Sequence, residues 1–85
     1  MSDLHSKLVG KLVTLVFKEE AVLNGLAVKN LTGTCGGIGG AVMSLNGIVE
    51  ARDGKGQDVT NEGKLIGKAL ILNVDTLAFV IQQGD

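Results

Sequence analysis

The chain of 85 residues contains no proline, tryptophan or tyrosine, only two phenylalanines and a single cysteine. Without proline, sharp turns must be made by glycine and by Asn or Asp, and 13 glycines are present to make them. The single cysteine, Cys35, excludes a disulfide within the chain, which is the usual condition of proteins in a reducing compartment. We therefore expect a cytoplasmic protein.

Long apolar runs are also missing, since none approaches the roughly 20 residues that span a bilayer as a helix. Residues 1–5 begin acidic and contain no separate apolar region, so we expect neither a signal peptide nor a membrane partner. Eight Lys and Arg are balanced by nine Asp and Glu. This balance gives no large positive surface for nucleic acid or anionic lipid.

Aliphatic residues are abundant for so short a chain. Apolar residues make up 45% of the sequence, and the mean hydropathy is +0.32. A chain of this size forms one domain, here residues 1–85, and buries only about 60% of its unfolded surface. We therefore expect a homo-oligomer in which copies cover the apolar surface that one core cannot hide.

Two Asn-Gly pairs, Asn24-Gly25 and Asn46-Gly47, lie between apolar stretches and predict β-hairpins. A two-residue type I′ turn needs positive φ at both central positions, which Asn and Gly tolerate best. The two registers predict these facing pairs: Leu23 with Leu26, Val22 with Ala27, Glu20 with Lys29, Leu45 with Ile48, and Val42 with Ala51.

The hairpins favour an all-β fold, or a β-rich fold with one or two short helices. Strands are predicted over residues 11–18 and 76–81, and the second follows a turn at residues 73–76. Good helix-forming composition leaves helices open as alternatives. The helical alternatives are a short helix over residues 4–9 and longer ones over residues 18–26 and 64–72.

The letters KLVGK at residues 7–11 recur as KLIGK at residues 64–68. Two full repeats at that spacing do not fit in the chain, so we interpret the recurrence as a local device and not as a duplicated domain. Each copy is predicted to be a turn whose glycine, Gly10 or Gly67, directs the chain into a strand. The residues predicted to pack under the sheet are Leu8, Val9, Leu65 and Ile66.

Residues 32–40, TGTCGGIGG, form a glycine-rich segment. Consecutive glycines allow backbone amides to surround an anion, but no phosphate-binding fingerprint is present. The alternative is a loop, or a place where two backbones approach closely. Residues 52–58, where charges of both signs alternate with glycine, are predicted to form an exposed loop or a hairpin tip. The candidate partner-binding residues are Gly36, Gly37, Gly39, Gly40, Arg52 and Lys55.

The sequence predicts no catalytic residue, cofactor or metal site. Use of Cys35 as a nucleophile would require a nearby base and a lowered pKa. The only histidine is His5, and nothing in the sequence places it beside Cys35. We expect a partly buried, inert cysteine, an exposed His5 and no enzymatic activity.

Residues 8–15, LVGKLVTL, followed by VLNGLAV at residues 22–28, resemble the first two strands of Sm-like and other SH3-like small barrels. The resemblance implies a short helix, a strand and a turn into a bent second strand, within a barrel or roll of five to six strands. The closing Arg-Gly or Lys-His signature of those proteins is missing, and the tail is AFVIQQ at residues 78–83. No functional residue is transferred on this resemblance.

These observations favour a non-enzymatic binding or assembly module that works as a homo-oligomer through its glycine-rich and polar loops. One alternative is an Sm-like barrel that binds RNA or DNA. Another is a small-ligand-binding or enzymatic barrel with an apolar cavity and a polar group such as Thr14 or Asn73. The sequence specifies neither the subunit number nor the identity of a protein or nucleic-acid partner.

Overall fold

The computed structural model of the chain describes residues 8–23, 25–62 and 64–83, which contain one antiparallel sheet of five strands. The spatial order of the strands is β4-β3-β2-β1-β5, and the sheet is not closed into a barrel. The prediction of an all-β fold is confirmed. The strands are β1 (Leu12–Leu23), β2 (Leu26–Gly39), β3 (Val42–Arg52), β4 (Leu70–Asn73) and β5 (Leu77–Gln82), and a 3-10 helix at Val74–Thr76 joins the last two.

The hairpin between β1 and β2 confirms the first Asn-Gly prediction. Leu23 faces Leu26 and Val22 faces Ala27, in the register expected from the sequence. Gly25 has a φ of +79°, a left-handed conformation that glycine adopts without the steric cost that a Cβ would bring. The turn chemistry and the apolar cross-strand pairs therefore specify the same register.

The ladder between β1 and β2 is irregular between Val16 and Ala21. The predicted pairing of Glu20 with Lys29 falls within this interruption and is wrong. The ammonium of Lys29 instead donates a hydrogen bond of 2.9 Å to the backbone carbonyl of Lys18. A register irregularity of this kind increases local twist and bends the strand. The first half of β1 pairs with both β2 and β5, whereas residues 21–23 pair only with β2.

The second predicted hairpin is wrong, because Asn46 and Gly47 lie inside β3. The hairpin between β2 and β3 turns instead at Gly40 and Ala41, the two residues between those strands. Gly47 has a φ of +56°, so its left-handed conformation serves an irregularity within the strand and not a chain reversal. The observed ladder partners are Cys35 for Leu45, Leu31 for Ala51, and both Gly39 and Asn73 for Val42.

Neither of the longer helices forms. Residues 18–23 belong to β1, and residues 64–69 form turns and irregular chain that lead into β4. Pairing within the sheet overrides a weak helical preference in both segments. Of the short helix expected over residues 4–9, the first four residues lie outside the described part of the chain, and Leu8–Gly10 form a turn. The predicted turn near residue 75 and the closing strand are confirmed as the 3-10 helix and β5.

One face of the sheet forms the core. In β1 the buried Val13, Leu15 and Phe17 alternate with residues that point to the other face, as the two-residue period of a strand requires. The irregular segment after β3 adds Val59 and Leu65 to this layer. Among the described residues, the buried apolar side chains are Val13, Leu15, Phe17, Val28, Leu31, Cys35, Met43, Leu45, Ile48, Ala51, Val59, Leu65, Leu72 and Leu77.

The repeated lead-in forms the same turn in both places, which confirms a recurring local device. The N–H of Lys11 donates to the carbonyl of Leu8 at 2.9 Å, and the N–H of Lys68 donates to the carbonyl of Leu65 at 3.0 Å. Leu65 is buried, and Leu8 packs against the core. The prediction is wrong for the other two residues, Val9 and Ile66, which are exposed to solvent.

Candidate functional site

The sheet ends in two free edges, one on β4 and one on β5. Within the described part of the chain, β4 pairs only with β3 and β5 pairs only with β1. The outer backbone groups of both strands therefore lack a neighbouring strand. Such an edge is a ready template for pairing with another extended chain.

Large apolar side chains are exposed on both edges. Ile71 on β4 is 78% exposed, and Phe79 on β5 is 65% exposed. Natural sheets usually protect a free edge with lysine, proline or an inward-pointing charge. Residues 77–82, LAFVIQ, carry no charge and no proline. The outer edge of β5 is therefore unprotected against pairing.

The side chains of β5 divide between the two faces of the sheet. Phe79 faces Val16 and Ile81 faces Thr14, both on the face away from the core. Val80 faces the buried Leu15, so it points to the core side and yet lies at the rim of the sheet, 36% exposed. A strand added along this edge would cover apolar groups on both faces at once.

A gap, here called the open seam, lies between residues 18–23 of β1 and residues 65–70, and it narrows toward Thr76, where the 3-10 helix contacts β1. β5 pairs with β1 only over residues 13–17, so the same edge of β1 is free beyond Phe17. Two cavities lie in this gap. One, of about 400 Å³, is lined by Lys18, Glu19, Glu20, Ala21 and Thr76. The other, of about 370 Å³, is lined by Val22, Leu23, Leu65, Lys68, Ala69 and Leu70.

The partner-binding residues predicted from the sequence do not gather in one place. Gly39 and Gly40 lie where β2 turns into β3, whereas Arg52 is the last residue of β3 at its opposite end and Lys55 lies in the loop that follows. β3 has 11 residues, and at about 3.3 Å per residue its ends lie at most roughly 33 Å apart. The glycine-rich and polar segments therefore offer two separate surfaces.

The glycine-rich segment is strand and not loop, because residues 32–39 belong to β2. Close approach of backbones explains part of its composition. A Cβ added at Gly33 would lie 3.0 Å from the carbonyl oxygen of Asn46 and 3.3 Å from the Cα of Ile48. A Cβ added at Gly36 would overlap the side chains of Asn46 and Ser44. Gly37 is half-buried and meets no such obstacle.

The polar loop after β3 is held by its own hydrogen bonds. The guanidinium of Arg52 donates to the carbonyl of Gly56 at 2.8 Å and pairs with the carboxylate of Glu50 at 2.8 Å. The carboxylate of Asp53 accepts from the amides of Lys55 and Gln57 at 2.9 Å each. Arg52 is therefore engaged within its own loop, and Lys55 projects from the exposed tip.

Thr60 anchors the end of this loop to β3. Its buried hydroxyl accepts a hydrogen bond of 2.8 Å from the amide of Ala51. The hydroxyl and amide of Thr60 also donate to the carboxylate of Asp58. These bonds, with a smaller contribution from the charge of Arg52, lower the pKa of Asp58 below its ordinary value.

Cys35 is fully buried in the core, and burial raises the pKa of its thiol. A weaker hydrogen bond from the backbone of Gly37 acts in the opposite direction. A buried thiol with a raised pKa is a poor nucleophile. His5 lies outside the described residues. In residues 8–23, 25–62 and 64–83, no three His, Cys, Asp or Glu side chains gather as a metal site would require.

Comparison with known proteins finds no matching family model, no similar curated protein and no similar solved structure. The described part of the chain also contains no helix with the length and apolarity needed to cross a membrane.

The free edges were not singled out from the sequence, although a signal was present. In both ALIL at residues 69–72 and LAFVI at residues 77–81, apolar residues occupy odd and even positions alike. A strand with this pattern either has both faces covered within the fold or is an edge strand with an exposed apolar face. The decision between the two needs the strand order, which periodicity does not supply.

Proposed function

We propose that the chain is a non-enzymatic assembly module whose homo-oligomer is the working unit. The free edges of β4 and β5 are the contact surfaces that join the copies. The observation that carries this proposal is the exposure of Ile71 and Phe79 on two unprotected edges. Pairing of edges would satisfy backbone hydrogen bonds and remove these side chains from water in one step.

The position of the edges favours a head-to-tail arrangement. β4 and β5 lie on opposite sides of the strand order, so one copy presents two different edges. If the β5 edge of one copy joins the β4 edge of the next, every copy uses both edges. A two-fold contact between identical edges would leave the other edge of each copy exposed. Head-to-tail contacts of this kind close into rings when the rotation between copies allows it.

We also propose that the sheet curls toward the small SH3-like or Sm-like barrel that the sequence resembles. Three residues, Val74–Thr76, join strands at opposite edges of the sheet. So short a connection spans about 10–11 Å at most, because an extended chain covers about 3.3–3.6 Å per residue. The two edges must therefore approach each other at the 3-10 helix, which requires strong curvature.

Assembly through the edges would leave two further surfaces free for a partner. These are the hairpin end at Gly39 and Gly40 and the polar loop that carries Arg52 and Lys55. We propose them as the places where the oligomer contacts other molecules. Repetition of each surface around the oligomer would raise its avidity, because several weak contacts then act together.

Solution mass is the direct test. Light scattering over a wide range of concentration should show a species larger than the 8.8 kDa chain. Phe79→Lys and Ile71→Lys should each shift the mass toward that of one chain, because each places a charge on a pairing edge. Val49→Lys is the matched control, since Val49 is 55% exposed but lies on the interior strand β3. A single-chain mass at every concentration would remove the proposal.

Binding to single-stranded nucleic acid, measured on the same samples, tests the nucleic-acid alternative. Filter binding at two salt concentrations should show no salt-sensitive complex if the oligomer only assembles and binds protein partners. A complex that weakens steeply with salt would instead support the nucleic-acid alternative, because release of counterions makes such binding salt-dependent.

A further inference from the structure

One cavity of the open seam, of about 370 Å³, is lined by five apolar residues and one lysine. Leu65 is buried, and Leu23 and Leu70 are half-buried against the core, so these three side chains form its inner surface. The volume lies at the lower end of the range for small-molecule sites, which is roughly 300–1,000 Å³. The cavity is therefore large enough for a small ligand with an apolar part.

The second copy of the repeated turn holds Lys68 at the exposed rim of this cavity. The N–H of Lys68 donates to the carbonyl of Leu65 at 3.0 Å, and its carbonyl accepts from the N–H of Ile48 at 3.4 Å. Among the described residues, its ammonium has neither an ion pair nor a hydrogen bond. A positive charge without a carboxylate partner therefore lies beside an apolar surface.

The free edge of β1 adds a backbone donor at the same rim. Leu23 and Leu26 close a hairpin with a two-residue turn, where the closing pair exchanges its backbone hydrogen bonds. Because these groups alternate in direction along a strand, the N–H of Val22 points away from β2 and toward the seam. β5 pairs with β1 only as far as Phe17, so within the described residues no strand accepts from this N–H.

We propose that this cavity binds a small organic monocarboxylate with an aliphatic tail. The carboxylate accepts hydrogen bonds from the ammonium of Lys68 and the N–H of Val22, and the tail covers Leu65 and its apolar neighbours. Burial of the tail removes apolar surface from water, and a charge-assisted hydrogen bond is about twice as strong as a neutral one. All the lining residues belong to one chain, so the inference goes beyond the proposed assembly and does not depend on it.

The charges of the seam favour a ligand with a single negative charge. Lys68 is the one charged residue that lines this cavity, whereas Lys18, Glu19 and Glu20 line the other cavity of the seam. The two carboxylates there disfavour a second negative charge on the ligand. A carboxylate therefore fits better than a phosphate monoester, whose charge is about −1.5 to −2 at neutral pH.

Titration followed by amide NMR spectra tests the site, with hexanoate as the probe. Hexan-1-ol carries the tail without the charge, and acetate carries the charge without the tail, so these are the matched ligands. Hexanoate at neutral pH should bind saturably and shift the amide signals of residues 22, 23 and 65–70. Hexan-1-ol and acetate should each bind about tenfold more weakly or worse, because each lacks one of the two contributions.

Substitution of Lys68 isolates the contribution of its charge. Lys68→Met keeps an unbranched side chain and should weaken hexanoate about tenfold without changing the binding of hexan-1-ol, whereas Lys68→Arg should retain hexanoate. Lys11→Met is the matched control. Lys11 occupies the corresponding place in the first turn, where its N–H donates to Leu8, but it does not line the cavity. This variant should bind hexanoate as the wild type does.

The ligand comparison on the wild type needs no substitution, so it decides the question even if a variant fails to fold. Equal binding of hexanoate and hexan-1-ol, or unchanged hexanoate binding by Lys68→Met, would overturn the assignment of a carboxylate site. Shifts that do not saturate, or that centre on Lys55 and the polar loop, would overturn the site altogether.

A titration of Phe79→Lys separates this site from the proposed assembly. The substitution places a charge on the β5 edge and leaves every residue that lines the cavity unchanged. Hexanoate should bind this variant as it binds the wild type, whatever the mass of either protein in light scattering. Loss of binding in the folded variant would place the site between copies and overturn a site within one chain.

Discussion

Gly10 and Gly67 occupy the same position in two copies of one turn, 57 residues apart in the chain. Their φ angles are +84° and +77°. The N–H of Gly10 donates to the carbonyl of Cys35 at 2.7 Å, and the N–H of Gly67 donates to the carbonyl of Ile48 at 2.9 Å. Each turn is thus fixed to a buried residue of a neighbouring strand. The repeated letters of the sequence encode a repeated docking geometry.

Replacement of either glycine by alanine should destabilise the fold. A Cβ at a left-handed position costs about 1–2 kcal/mol, because it lies too close to the following carbonyl. Gly10→Ala and Gly67→Ala should therefore lower the midpoint of urea unfolding without changing its slope. Gly39→Ala is the control, since Gly39 lies in extended β2 with open space around its Cα. Equal midpoints for all three variants would show that the left-handed turns are unimportant for stability.

The repeated lead-in shows what a local pattern reveals and where it stops. A glycine after two apolar residues, followed by a strand, was sufficient to predict the turn and its role. The pattern did not distinguish Leu65, which is buried, from Ile66, which is 56% exposed. In a tight turn successive side chains point in different directions, so only one of two adjacent apolar residues reaches the core.

Close packing at Gly33 gives a second prediction. The φ of Gly33 is not left-handed, so any cost of adding a Cβ comes from contact with the backbone of Asn46 and Ile48. Overpacking of this kind costs about 1–3 kcal/mol. Gly33→Ala should be destabilised by that amount in urea unfolding, whereas Gly37→Ala should be nearly unchanged. The interpretation fails if the two variants unfold at the same urea concentration.

Acid should weaken the anchor of the polar loop. The pKa of Asp58 is lowered in the folded protein by its hydrogen bonds with Thr60. The resulting stabilisation is present above the unfolded pKa of about 3.9 and is lost as the pH falls through the lower folded pKa. Wild-type protein should therefore lose more stability between pH 5 and 2 than Asp58→Asn does, measured by urea unfolding at each pH.

The control for this experiment is Glu62→Gln. The described residues show no hydrogen bond or ion pair that involves the carboxylate of Glu62, which is exposed. This variant should keep the acid dependence of the wild type. If Asp58→Asn also kept the acid dependence of the wild type, the hydrogen bonds between Asp58 and Thr60 would not contribute to stability.

The thiol of Cys35 should be unreactive in the folded protein. Burial raises its pKa and also blocks the approach of a reagent. Ellman's reagent at pH 8 should therefore react slowly with native protein and at once after unfolding in guanidinium. Val49→Cys serves as the reactive reference, because that position is exposed. Equal native rates at positions 35 and 49 would require Cys35 to be open to solvent.

The two Asn-Gly pairs mark the limit of turn prediction from sequence. Both have apolar flanks, and both glycines adopt positive φ, +79° at Gly25 and +56° at Gly47. Only the first reverses the chain, because Gly40 and Ala41 already supply the turn between β2 and β3. A left-handed glycine suits a hairpin or a strand irregularity equally well. The choice depends on which distant segments pair, and that information is not local.

The proposed assembly predicts that the stability of the protein depends on its concentration. A partner that binds only the folded chain stabilises it by mass action, by about 2.7 kcal/mol when its concentration is a hundred times Kd. The urea midpoint of the wild type should therefore rise as the protein is concentrated. That of Phe79→Lys should stay constant, because the charge blocks the β5 edge. Val49→Lys should follow the wild type. A constant wild-type midpoint across a concentration range in which light scattering detects dissociation would show that folding and assembly are not linked.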